Sequence, residues 1–97
     1  MSVYVIFQLD VHDPQTFGRY TTAAARTGDA YGSEIVAVGP AEVVEGEWFG
    51  TRTVVARFPD RAAATAWLHS PAYREATRLR HAAATSNVVL VDGLPAA

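Results

Sequence analysis

The chain has 97 residues, 49% of them hydrophobic and 19% charged, with a formal net charge of -2. That length holds one domain with a small core, which favours oligomerisation, and that apolar fraction excludes disorder. Slight acidity and singly scattered arginines exclude the basic footprint of a nucleic-acid binder; the absence of cysteine removes disulfides and thiolate chemistry, and the absence of lysine removes Schiff-base chemistry.

Val3 to Asp10 reads as a strand. Val3, Val5, Phe7 and Leu9 alternate with Tyr4 and Ile6, so both of its faces are apolar and both need cover. Asp13-Pro14 is a helix start, a capping carboxylate followed by a proline whose missing N–H costs nothing there. The helix that follows carries Phe17, Tyr20, Ala24, Thr27 and Tyr31 as its inward stripe, with Gly32 as its stop. Ser33 to Val38 is a second strand. Gly39-Pro40 interrupts it before Ala41 to Glu45, which marks a bulged or bent edge strand because proline cannot donate to a ladder.

A polar hairpin loop over residues 45–50 opens into Thr51 to Phe58, the longest strand signal in the chain. Asp60 caps a short helix over Arg61 to His69 with Ala63, Ala64, Trp67 and Leu68 inward, and Ser70-Pro71 repeats the device for a second helix to about Ala84. Asn87 to Asp92 is the last strand and residues 93–97 a tail. The order β-α-β-β-α-β predicts one α+β domain over residues 1–97, a ferredoxin-like four-stranded antiparallel sheet with its helices on one face. The other face, with Val5, Val55 and Val89 or their alternates, is left apolar and open. A homodimer packed sheet to sheet accounts for it. No run approaches the roughly 20 apolar residues of a membrane span and no leader pattern is visible, so a cytoplasmic protein without membrane or nucleic-acid partners is expected.

The hairpin Glu45-Gly46-Glu47-Trp48, Arg52, the stretch from Val54 to Phe58-Pro59-Asp60, then Ala64, Trp67, Ser70-Pro71-Ala72-Tyr73 and Arg80 resemble the domain-of-unknown-function 1330 family. The resemblance covers nearly the whole chain and departs from it around Asp29 to Gly32, where Tyr31 stands in place of one of the family's paired glycines. It implies membership of the dimeric α/β-barrel superfamily, in which two subunits join their sheets. Relatives there include cofactor-free monooxygenases, lactone isomerases, polyketide cyclases, dehydratases and haem-binding enzymes. It also implies a ligand cavity between helices and sheet.

On that expectation the inward polar residues are the candidates. Arg80 shares a helix face with Tyr73, Ala76 and Ala83, and an arginine there pairs with a buried carboxylate (Glu45 or Asp10), binds an anionic ligand, or reaches the edge. Tyr20 and Tyr73 project toward the same sheet face as proton donors or as core. Arg52 and Glu45 are candidate cross-strand partners. Trp48 covers a pocket mouth or packs across the dimer. His81 is a possible acid/base group, while His12, His69 and His81 have no metal-ligand spacing. With Phe7, Phe17, Phe58 and Trp67 as an apolar pocket, the residues suit a cofactor-independent enzyme that performs isomerisation, cyclisation, dehydration or decarboxylation on an aromatic or polyketide-like metabolite. A non-catalytic small-molecule or protein-binding module is the alternative, and haem binding through His69 or His81 the third.

Overall fold

β1 (Val3–Val11) lies inside the sheet, bonded to β3 (Arg52–Phe58) on one side and β4 (Ala84–Asp92) on the other. The computed structural model describes residues 1–95 of the chain. β2 (Glu34–Gly39) completes an edge, giving the order β2-β3-β1-β4 with every pair antiparallel. α1 (Pro14–Gly28), α2 (Arg61–His69) and α3 (Pro71–Ala83) all cover one face. Among the described residues no helix is long and apolar enough to cross a membrane.

The period-two rule decides which side of β1 is core. Val3, Val5, Phe7 and Leu9 are buried under the helices, and Tyr4 and Ile6 point the other way. Val5 therefore does not belong to the open face. That face is made by Tyr4, Ile6, Val55, Val89 and Val91, placed side by side by the register Ile6↔Val55, Ile6↔Val89 and Tyr4↔Val91. Val89 is 50% exposed and Val91 46%.

The helix starts follow their caps. The Asp13 side chain accepts from Thr16 N at 3.2 Å and that of Asp60 from Ala63 N at 2.7 Å. Hydrogen bonding by Thr16, from its side chain first and then its amide, holds the Asp13 carboxyl below the usual carboxylate range. α1 passes into a single 3-10 turn, Asp29–Tyr31, which ends at Gly32 with φ of 74°. α3 runs straight into β4 without a loop: Ala84 is already extended and pairs with Val11, while His12 N donates to Ala83 O at 2.9 Å.

Residues 41–45 are not a strand. Thr53 opposite Gly39 is the last pair of β2 and β3, and Pro40 has no N–H to continue the ladder, so residues 40–51 form a loop. Its far end is pinned at Gly50, whose φ is 82° and where a Cβ would lie 2.3 Å from Leu9 O; Thr51 N then donates to that same carbonyl at 2.9 Å. The bulge falls earlier than Gly39-Pro40 suggests, between Ile35 and Ala37. With Val36 as the extra residue, Ile35 and Val38 both pair with core-facing partners, Ala56 and Val54, although they are three positions apart.

Candidate functional site

That bulge shapes a cavity of about 410 Å³ between α1 and the β2–β3 side of the sheet. Phe17, Tyr20 and Ala24 come from α1, Phe7 and Leu9 from β1, Ile35 and Val38 from β2, Val54 and Ala56 from β3, and Trp67 from α2. The walls are apolar because each strand presents its core-facing residues and α1 its helical stripe. Polar groups enter in few places: Arg52, Thr21, Asp29, Ser33 and the Tyr20 side chain. Such a volume, apolar with few polar groups, is on the scale of a small-molecule site.

Behind one wall lies an aromatic and cationic layer. The Trp67 ring stacks on Tyr73 with centroids 3.8 Å apart, tilts against Phe58 at 5.1 Å and meets Phe7 edge-on at 6.5 Å. Its indole N–H is satisfied by Thr27 Oγ1 at 3.0 Å, so the largest ring in the core leaves no orphan donor. The hydroxyls of Tyr20 and Tyr73 are 2.7 Å apart. Burial, followed by the neighbouring Tyr73 phenol and its hydrogen bond, pushes the Tyr20 phenol far above its ordinary value, and Arg80 opposes the shift. Tyr20 is accordingly a neutral phenol that can donate or accept a hydrogen bond, not a phenolate base.

Arg80 is 7% exposed and shares the buried face of α3 with Tyr73, Ala76 and Ala83. Its guanidinium carbon lies 5.8 Å from both the Phe7 and the Tyr20 ring centroids. One terminal nitrogen donates to Ser86 Oγ, and Nε has no partner. Neither Glu45 nor Asp10 pairs with it. Glu45 is exposed in the 40–51 loop, and Asp10, opposite Thr85, belongs to the set of β1 residues that face away from the helices. Arginine stays charged in proteins, so this is a buried cation faced by two π rings and one hydroxyl.

The sequence candidates thus divide. Phe7, Phe17, Tyr20, Trp67 and Arg52 meet at the cavity. Tyr73 and Arg80 stand one layer behind Tyr20 and Phe7, and Phe58 is fully buried behind Trp67. His81 is exposed on α3, and His69 is exposed with Nδ1 3.0 Å from Thr65 O; neither lines the cavity. Among the described residues no three His, Cys, Asp or Glu side chains gather as metal ligands. Trp48 is half-exposed in the loop and its indole donates to Thr53 Oγ1 at 3.0 Å, on the open side of the sheet, because Thr53 pairs with Gln8. Glu45 does not bridge Arg52: the loop carries it away from the ladder, and the ion pairs among the described residues are Arg57–Glu34, Arg61–Asp92 and Arg78–Glu75. Arg52 instead lies 5.7 Å from the Phe17 ring.

Sequence reasoning missed Ile35, Val38, Asp29 and Ser33 in the lining, and Ser86 and Thr27 as hydrogen-bond partners. Ala24 and Ala25, consecutive small residues on α1, were the available sign that the helix leaves room there.

The same fold occurs in solved structures. A protein of unknown function from Rhodopseudomonas palustris, RPA0582, is 18% identical with a TM-score of 0.80, over 98% of this chain and 84% of its own. SnoaB, a cofactor-independent oxygenase from Streptomyces nogalater, is 17% identical with a TM-score of 0.71, over 98% and 95% of the two chains. A dimeric ferredoxin-like protein of unknown function from Jannaschia sp. CCS1 is 19% identical with a TM-score of 0.68, over 96% and 100%. At these identities the likeness is one of fold. No curated protein matches the chain. Residues 2–94 match the family described as Domain of unknown function (DUF1330), and the ferredoxin-like chain built around this cavity belongs to that family.

Proposed function

We propose that the cavity is the active site of a small cofactor-independent enzyme that moves protons on an apolar aromatic or polyketide-like metabolite, working as a homodimer joined through the open sheet faces. The observation that carries this reading is the Tyr20 side chain on the wall of an apolar cavity, its neutral hydroxyl bonded to Tyr73 and its ring faced by the carboxylate-free Arg80. A buried cation without an anion is costly, and a negative charge that develops nearby in a reaction offsets that cost.

Enolisation fits these parts. A ligand carbonyl in the cavity accepts the Tyr20 hydrogen bond. As a carbon-bound proton leaves to water at the open mouth, negative charge grows on the oxygen and is held by the Tyr20 hydrogen bond, the Tyr73 hydroxyl donating in turn to Tyr20 across the 2.7 Å contact; return of a proton from water to the carbon closes the exchange with both phenols still protonated. Arg80 holds the site positive throughout. In β-keto acids and polyketide-like phenols the proton beside the carbonyl is acidic enough for water to serve as the acceptor once that carbonyl is polarised. SnoaB, of like fold, is a cofactor-independent oxygenase, which supports chemistry without a bound cofactor on this scaffold. The dimer is supported by the open apolar face and by neighbours of the same fold described as dimeric.

The test is hydrogen exchange. β-Keto acids and hydroxylated aryl ketones are incubated with the protein in D₂O, and deuterium at the carbon beside the carbonyl is followed by NMR. The wild type is expected to accelerate exchange, and Tyr20→Phe to slow it by about a hundredfold while still binding the ligand. Ligands that bind with no exchange above buffer would make this a binding module and not an enzyme.

A further inference from the structure

The polar groups of the cavity are not scattered. Arg52 stands at one end: it is opposite Leu9 in the register, begins β3, and lies over Phe17 in the first half of α1. Asp29 and Ser33 stand at the other, where α1 has ended and Ser33 N donates back to Gly28 O at 3.2 Å. From Phe17 to Asp29 the helix rises about 18 Å, and β3 covers about 13 Å between Arg52 and Ala56, the first and last of its residues in the lining, so the slot runs lengthwise along both elements. Between its ends it offers rings, methyl groups, the Tyr20 side chain and Thr21, whose hydroxyl is already engaged with Gly18 O at 2.9 Å.

Charge runs along this axis in one direction. The backbone dipole of α1 is positive at the Phe17 end and negative at the Asp29 end. Arg52 adds a cation at the first end, with no ion pair among the described residues, and Asp29 adds an anion at the second. Side chains and helix dipole reinforce one another, so a ligand of matching polarity has one orientation that both favour.

On the reading of this cavity as a ligand site, we infer that it takes an elongated, flat acid lengthwise, its carboxylate at Arg52 and a hydroxyl donor at its far end on Asp29. The guanidinium meets the carboxylate through charge-assisted hydrogen bonds, and Ser33 stands beside Asp29 as a second polar partner for the hydroxyl. Tyr20, which lies between the two ends on α1, then faces the middle of the ligand, and the reacting carbonyl belongs there and not at either tip.

Three probes separate the ends: 6-hydroxy-2-naphthoic acid, its methyl ester, and 2-naphthoic acid, titrated calorimetrically into the wild type, Arg52→Gln, Asp29→Asn and Ala24→Leu. Ala24→Leu fills the middle of the slot, and circular dichroism melts verify that each variant is folded. The hydroxy acid is expected to bind tightest, with about a tenfold loss for the ester and again for the acid without its hydroxyl. Arg52→Gln should erase the difference between acid and ester, Asp29→Asn the difference made by the hydroxyl, and Ala24→Leu should weaken all three probes. An ester that matches the acid, or either difference surviving in its variant, overturns the end-group assignment. If the probes still compete for a site that Ala24→Leu blocks, the cavity reading stands without it. Binding that Ala24→Leu leaves unchanged, or no binding of any probe, overturns both.

Discussion

Tyr20 titrates in a way that follows from its place. Its phenol is buried, bonded to Tyr73, and pushed upward. Below about pH 10, the ordinary phenol value, the group is protonated in both folded and unfolded chains and its contribution to stability is complete. Above that, the unfolded chain loses the proton and the folded one retains it, so stability falls as pH rises, by about 1.4 kcal/mol per pH unit for one such group. Urea unfolding from pH 9 to 11 should show this decline, and Tyr20→Phe should flatten it by that amount. An equally steep decline in the variant would mean that other groups carry the alkaline transition. The sequence made the helix faces of Tyr20, Tyr73 and Arg80 legible by spacing alone. It could not show that Arg80 ends on Ser86, because that contact depends on β4 starting at Ala84, three residues before the apolar alternation from Asn87 makes a strand visible.

The corner between α2 and α3 is the element that holds the rings behind the cavity. Ser70 is buried at 7% exposure and serves both helices: its hydroxyl donates to Trp67 O at 2.8 Å and accepts from Tyr73 N at 3.2 Å. One side chain thus ties down the backbone of the two residues whose rings stack. Ser70→Ala should destabilise the fold by about 1–2 kcal/mol in urea denaturation, the range of a lost cap; an unchanged midpoint would show that water or backbone replaces the hydroxyl at no cost. This corner was readable as Ser-Pro after a helix. The end of β2 was not. Ala41 to Glu45 has a strand-like pattern, but strand pairing needs a partner, and β3 begins too late to provide one. The bulge at Val36, which turns Ile35 and Val38 together into the cavity wall, has no signature in local composition.

The whole molecule is a two-layer slab, 39 × 37 × 16 Å, with helices on one side and a bare sheet on the other. Edge and face differ in what they ask for. The Arg57–Glu34 pair at 2.6 Å and the Asn87–Gln8 contact at 3.3 Å give the open side polar margins around Ile6, Val55, Val89 and Val91. An apolar centre with a polar rim is the make-up of a protein interface. Light scattering after size exclusion should return a dimer, and Val89→Asp, which places a charge within the apolar patch, a folded monomer; a monomeric wild type would contradict the proposed assembly. The alternation of β1 predicted that both faces need cover. It did not say which residues lie on which side: of Val5, Val55 and Val89, the last two lie on the open face, while β1 presents its alternates Tyr4 and Ile6 there and buries Val5.

The chain carries two tryptophans, and the structure puts one on each side of the question. The Trp67 indole lines the cavity, while that of Trp48 rests on Thr53 at the open sheet face. A titration with 2-naphthoic acid followed in amide and indole N–H NMR spectra therefore maps the ligand site directly. The account predicts that the Trp67 indole shifts together with amides of Phe17, Tyr20, Ala24 and Ile35, and that the Trp48 indole stays in place. Shifts confined to Trp48 and its neighbours, or to Arg74, Arg78 and His81 along the outer side of α3, would contradict it.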